Sequence, residues 1–311
     1  MSNVKVSVIM NCYNGEKFLR PAMESVFAQT YQDWEIIFWD NASTDKSAEI
    51  AKSYGEKVKY FCSEKTTKLA AARNKAFAVA SGEYLAILDV DDLWLPKKLE
   101  KQVALMDGDS SLGFTYNDTM YFNDHGDIFN VFSSYSPKRG HIFGSLLETV
   151  QGYMSSEAIM FRSSVLTEFS PIFHEKFHAA TDYDLLLRIA YKYKVDYVPE
   201  VLSKWRDHIS SGTSVARVEV PTDNLILLED LKKDFPEIKT KYAGEIKIFI
   251  MKQHYLFAHA FWKAGDRAKA LQHLKPYLAD SKCLITFILI NFLPYNLFEK
   301  CRNRMRAVLA G

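Results

Sequence analysis

Over roughly its first 120 residues the chain alternates short, nearly unbroken apolar runs with segments whose apolar positions recur at helical spacing. Residues 4–10 are rich in β-branched side chains and end at the breaker Asn14-Gly15, which predicts a buried strand. From 16 to 29, Phe18, Leu19, Ala22 and Val26 mark one helical face, with Pro21 tolerable in the first turns. A second strand over 34–39 runs into the polar stretch from Asp40 to Asp45, where Asp45 suits the start of a helix reaching about 54. Residues 57–62 read as a third strand, 69–80 as an alanine-rich helix stopped by Ser81-Gly82, and 84–88 as a fourth strand. This alternation predicts βαβ units and an α/β fold with a largely parallel sheet covered by helices.

Beyond 110 the pattern changes. Strands are expected over 113–117 and 128–132 around a turn at 123–126, a helix over 181–192 with Asp184 and Arg188 as an i,i+4 pair, and an extended run over 195–205. From Pro221 onward only helices are expected: 223–233, 242–263 and 266–278. Tyr255, Ala258 and Trp262 would face Ala268, Leu271 and Leu274 in an antiparallel pair. The expected organisation is a domain over 1–220, with halves meeting near 110, and a helical extension over 221–311.

Composition narrows the function classes. The 311 residues are 48% hydrophobic and 25% charged, an ordinary globular balance. Lys and Arg total 39 against 38 Asp and Glu, so no net field directs the chain to nucleic acid. Cys12, Cys62, Cys283 and Cys301 stand far apart, without metal-finger or disulfide-framework spacing, as expected in a reducing, cytoplasmic compartment. The N-terminal apolar stretch is too short for a signal peptide, and no window is apolar for long enough to span a bilayer.

Open α/β sheets place ligands at the carboxyl ends of their strands. Three of the predicted strands end in polar clusters: Asn11 to Asn14, Asp40, and Asp89-Val-Asp91-Asp92. Neither GxGxxG nor GxxxxGK[ST] occurs, which argues against a dinucleotide fold and a P-loop. Three acids within four residues repel one another unless a cation or hydrogen-bond donors offset them, and a hard divalent cation shared with substrate phosphates is the simplest such cation. An isolated Asp-x-Asp is a weak signal. By itself it reads equally as the cap of a helix beginning at Leu93.

In combination, however, the segments 6–16, 36–45, 71–74 (Ala-Ala-Arg-Asn) and 82–92, continued by 94–100, resemble the family 2 glycosyltransferases of the GT-A fold in order and spacing. The resemblance resumes at 181–188 and at Trp205-Arg-Asp-His208, and covers roughly 4–215. It implies a GT-A fold with a mixed, mostly parallel sheet and an inverting transfer of one sugar. The donor would be a nucleotide diphosphate sugar, UDP- or dTDP-linked, and the acceptor a hydroxyl of a glycan, lipid-linked or a surface-polysaccharide precursor.

The same resemblance implies roles. Cys12, Tyr13, Asn14 and Glu16 would line the nucleoside pocket, and Asp40 would accept the imide N–H of uracil or thymine, a task suited to an acceptor-only carboxylate. Arg73 would contact the nucleotide, and Asp89 the ribose or a metal-bound water. Asp91 would ligate Mn²⁺ or Mg²⁺, with His208 as a further ligand or phosphate donor, and Asp92 and Arg206 would contact the donor or its phosphates. Asp182 would be the base that takes the acceptor proton. Without the resemblance, Asp40 reads as a turn former, Arg73 as half of a surface ion pair, Asp92 and Asp182 as helix caps, and His208 as structural.

Thr181 stands where the family has Glu. It makes the acceptor side less acidic and leaves an opening for a non-catalytic sugar-nucleotide binder. A sugar nucleotidyltransferase is the other rival, though its Gly-rich basic signature is missing. The loop 210–214 is expected to cover the donor. The aromatic residues Tyr116, Tyr121, Phe122, Tyr135 and Tyr153 fit a core better than a sugar platform. Residues 284–306 combine an apolar run with Lys300, Arg302, Arg304 and Arg306. That pairing suits peripheral contact with an anionic membrane, such as the cytoplasmic face of an inner membrane, against the alternative of a packed C-terminal helix.

Overall fold

The computed structural model describes residues 4–149, 154–208 and 218–300. The loop 210–214, Tyr153 and the basic residues Arg302, Arg304 and Arg306 lie outside them. The first half follows the expected alternation: β1 (Val6–Cys12), α1 (Glu16–Phe27), β2 (Trp34–Asp40), α2 (Ser47–Lys52), β3 (Val58–Cys62), α3 (Leu69–Ala78) and β4 (Tyr84–Ile87). Then come β5 (Leu93–Trp94), α4 (Lys98–Gly108), β6 (Leu112–Asn123), β7 (Gly126–Asn130), α5 (Phe143–Thr149), β8 (Met160–Arg162), α6 (Ser163–Leu166), α7 (Thr181–Lys192) and β9 (Lys194–Arg206).

One sheet joins all these strands in the order β3-β2-β1-β4-β8-β6-β9-β5, with β7 hairpinned onto β6. Pairing is parallel across β3, β2, β1 and β4 and again between β6 and β9, and antiparallel at β8, β7 and β5. The sheet is therefore mixed, with most paired positions in parallel ladders. Every residue of β1 is buried. Val6, Val8 and Met10 meet Leu19, Met23 and Val26 of α1 and Leu99, Val103 and Met106 of α4 in one core. The alternate positions Ile9 and Ile37 are buried too, and α3 lies against β1 and β2. Burial on both faces explains why these strands read as continuous apolar runs.

Two expectations need correction. No helix begins at Leu93: Leu93 and Trp94 pair with Lys204 and Ser203 of β9, and the Leu95 amide donates to the Leu202 carbonyl. Pro96 disfavours helix at the residue before it, so α4 starts only at Lys98. The strand expected over 113–117 is also longer, reaching Asn123, because β9 and the β7 hairpin flank its outer half. Among the expected aromatic residues, Tyr116 and Phe122 are buried, Tyr121 is half-buried and Tyr135 is exposed.

The chain divides into two compact units near residue 211, one built on the sheet and one on the C-terminal helices. The second contains α8 (Glu219–Asp234), α9 (Ile238–Lys241), α10 (Ala243–Lys263), α11 (Arg267–Leu274) and α12 (Ser281–Phe292). Asp266 and Asp280 cap α11 and α12 by accepting from the Lys269 and Cys283 amides. Ala258, Trp262, Ala270, Leu274, Cys283 and Ile290 form this unit's core. Ala270 takes the inward place expected for Ala268, which is exposed. Among the described residues no helix is long and apolar enough to cross a membrane.

At the amino-terminal edge of the sheet, buried Ser7 donates to Glu35 and accepts from the Gly82 amide. A Cβ on Gly82 would strike the Ser7 amide and lie 2.8 Å from Ser7 Oγ. Gly82→Ala should therefore lower stability by about 1–3 kcal/mol, the usual cost of overpacking against groups that cannot yield. An unchanged urea midpoint would show that this backbone approach is not tight.

Candidate active site

The loops after β1 and β2 are sewn together by reciprocal side-chain-to-backbone hydrogen bonds. The amides of Asn14, Gly15 and Glu16 donate to Ser43, Ser47 and Asp45, at 3.0, 2.9 and 2.9 Å. In return the amides of Thr44 and Lys46 donate to Asn14 and Glu16. Asn14 and Ala42 both sit in the left-handed region, at φ of 52° and 64°, a conformation this network has to hold in place. A Cβ on Gly15 would come within 2.9 Å of both Cys12 Sγ and Val90 Cγ2, so the β1 loop closes directly onto the Asp-Val-Asp segment. Asn14 and Glu16 are thus structural ties, while Tyr13 projects into solvent at the same edge. Buried Asn11 leaves both amide atoms without a partner among the described residues, as at a position that a ligand or water completes.

Asp40 ends β2 and is buried. Its Oδ1 accepts from the Ser43 amide at 2.8 Å and its Oδ2 from the Tyr60 hydroxyl at 2.7 Å. Each oxygen has a second lone pair, so the carboxylate forms a turn and keeps acceptor capacity. Burial and the adjacent Asp40 push the Tyr60 phenol upward, so it remains a donor.

Arg73 is not a surface residue. It is buried on α3, with one nitrogen bonded to Asp182 and another donating to both Asp89 oxygens at 3.0 and 3.2 Å. Burial opposes its charge, but the two carboxylates more than offset that and raise its pKa. Ser156 also donates to Asp89 Oδ2. Asp182, in the first turn of α7, spends Oδ1 on Arg73 rather than on a cap, and Oδ2 carries no hydrogen bond among the described residues. With a quarter of its side chain accessible, that oxygen is available to take a proton.

Asp91 and His208, separated by 117 residues, meet with Oδ2 and Nε2 2.9 Å apart. An anionic oxygen beside an imidazole nitrogen, both partly accessible, is a donor pair that fits a divalent cation, Mn²⁺ better than Mg²⁺. Arg206 donates from Nε to the Asp91 carbonyl, and its guanidinium lies over Phe18 and Phe122. Asp92 departs from its expected role. It is almost wholly buried, and its Oδ1 accepts from the Arg206 amide at 2.8 Å, so it ties β9 to the Asp-Val-Asp segment from behind instead of facing a donor. Burial, with Glu157, Asp91 and Asp89 nearby, pushes its pKa well up.

Comparison with known proteins identifies the family and the fold. A sequence model of the family described as Glycosyl transferase family 2 matches residues 7–167. An uncharacterized glycosyltransferase of Methanocaldococcus jannaschii, MJ1057, is 34% identical over 218 residues, 66% of this chain and 72% of that protein. The Escherichia coli protein WfgD, named UDP-Glc:alpha-D-GlcNAc-diphosphoundecaprenol beta-1,3-glucosyltransferase, is 33% identical over 129 residues, 41% of this chain and 51% of WfgD. Among solved structures, Staphylococcus aureus TarS 1–349 in complex with UDP-GlcNAc superposes with a TM-score of 0.66 at 20% identity, over 88% of this chain and 80% of that one. That likeness establishes the GT-A architecture.

Sequence reasoning missed the charges beneath the acidic edge. Glu157 is fully buried, and desolvation raises its carboxyl. Lys98, also buried, donates to Gln102, and desolvation lowers its amine to about 7 although Glu157 pulls it upward. A lysine in a Pro-Lys-Lys run carries no local sign of burial. Since the unfolded chain holds this proton up to about 10.5 and the folded one does not, stability should rise with pH from about 7 upward. Lys98→Met should flatten that rise in urea titrations between about pH 7 and 9; an equal slope in the variant would mean that Lys98 stays protonated in the fold.

Proposed function

The chain belongs to glycosyl transferase family 2, and from that premise we propose an inverting, metal-dependent transferase. It moves a single sugar from a UDP- or dTDP-linked donor to a hydroxyl of a lipid-linked glycan at the cytoplasmic face of a membrane. The observation that carries this reading is the Arg73 bridge: it holds Asp182 beside Asp89 and leaves one Asp182 oxygen without a hydrogen bond among the described residues.

Asp40, held by Tyr60 and Ser43, accepts from the imide N–H of the base, and Tyr13 and Asn11 complete the nucleoside pocket. Asp89 faces the ribose, with Arg73 acting on the nucleotide through it. Asp91 and His208 would hold the cation, which when bound supplies charge compensation to the departing diphosphate. Arg206 orients Asp91 through its carbonyl. Asp182 takes the proton as the acceptor oxygen attacks the anomeric carbon from the side opposite the leaving phosphate, so the configuration inverts. A lipid-linked acceptor is supported by the name of WfgD, whose acceptor is a diphosphoundecaprenol-linked sugar.

Two variants test the assignment against a panel of UDP- and dTDP-sugars. Asp182→Asn should keep donor affinity while kcat falls by about 10²–10⁴, the worth of a positioned general base. Equal loss of donor binding would make Asp182 structural. Asp91→Ala should abolish turnover and the Mn²⁺ dependence of donor binding, and full activity at saturating donor would remove the metal reading.

A further inference from the structure

Helix α12 has two apolar faces, and only one of them is used. Cys283, Thr286 and Ile290 turn into the core of the C-terminal unit. The opposite arc carries Leu284, Ile285, Ile288 and Phe292, all exposed, with Ile285 at 57% and Phe292 at 79%. At 100° per residue these four fall within about a third of a turn, and Leu297 adds an exposed side chain just beyond. Isolated exposed hydrophobics are ordinary, but four on one face of a helix call for an occupant.

Charge selects that occupant. Between Lys263 and Arg306 the sequence holds nine basic residues and three acidic ones, so the rest of a nearly neutral chain is net acidic. Lys282 lies on α12 itself, and Lys300, Arg302, Arg304 and Arg306 follow it. Twelve residues of helix span about 18 Å, well short of a hydrocarbon core of about 30 Å, so α12 can lie in an interface but cannot cross.

We propose that the outer face of α12 is a docking surface for an anionic lipid bilayer. Leu284, Ile285, Ile288 and Phe292 enter the headgroup boundary, and exposed Lys282 and Lys300 meet the negative surface. A second copy of the chain is disfavoured as occupant, because two such basic regions would be brought together. The proposal rests on the stripe and the charge alone and does not depend on the identity of the acceptor.

The full-length protein is mixed with phosphatidylcholine vesicles with or without about 30% phosphatidylglycerol and separated by flotation. It should float with the anionic vesicles only and be released by about 0.5 M salt. The variant combining Ile285→Ser, Ile288→Ser and Phe292→Ser touches only exposed positions and should bind at least about tenfold more weakly, with its melting curve unchanged. Failure of the wild type to float at low salt would overturn the proposal, as would equal flotation of a folded triple variant. So would a concentration-dependent dimer in light scattering that the triple substitution abolishes without any vesicle binding. Turnover on water-soluble acceptors by the triple variant keeps this outcome separate from the transferase reading.

Discussion

The buried guanidinium of Arg73 is the contact on which the candidate site depends. It sits among alanines on α3 and joins the end of β4, at Asp89, to the start of α7, at Asp182. Taking a charge out of water costs several kcal/mol unless its partners are well placed, and here two carboxylates share one cation. The remaining acids of this edge are each answered separately: Asp40 by the Ser43 amide and Tyr60, Asp91 by His208, Asp92 by the Arg206 amide. Donors from other segments therefore answer most of this acidity, and Asp92 is where burial and its acidic neighbours still outweigh the one amide it accepts from. Two oxygens are set apart from this pattern: Asp182 Oδ2, which carries no hydrogen bond among the described residues, and Asp91 Oδ2, whose imidazole partner can itself serve as a ligand.

The same logic shapes the loops after β1 and β2. The β1 and β2 loops exchange hydrogen bonds in both directions, so neither can move without stranding amides of the other. Gly15 is required by proximity and not by dihedral angle, since its Cβ would collide with Cys12 and Val90. Two residues in the left-handed region remain in these loops, a cost of roughly 1 kcal/mol for Ala42 that the neighbouring contacts absorb. Rigidity at this point means that ordering entropy is met during folding instead of at each binding event.

Legibility from sequence followed the range of the signal. The βαβ half was readable because burial on both faces of β1, β2 and β4 leaves nearly continuous apolar runs. Asp40, Asp89 and Asp91 were readable because strand ends are where such sheets keep ligands. What could not be read was partnership. Arg73 looks like any polar residue of an alanine-rich helix, and its bond to a residue 109 positions away leaves no local trace. Tyr60 lies in β3, and nothing in its neighbours announces that it supports Asp40. Nothing in the sequence singles out Lys98 or Glu157, since burial of a charged side chain depends on what packs over it and not on its own segment.

The most consequential misreading concerns the shortest strand. Leu93 and Trp94 looked like the first residues of a helix capped by Asp92, yet their pairing with Lys204 and Ser203 brings the two halves of the site together. Antiparallel continuation of that pairing sets Asp91 and Asp92 against Arg206, which bonds both, and delivers His208 to Asp91. A slip of one residue would displace His208 by about 3.3 Å along β9 and turn the β9 side chains to the other face of the sheet. Two residues cannot hold such a register unaided. It is secured by the long parallel ladder between β6 and β9 on the other side and by the Asp92 carboxylate beneath. The buried acid therefore acts through geometry: it fixes where the chain that carries the imidazole must lie.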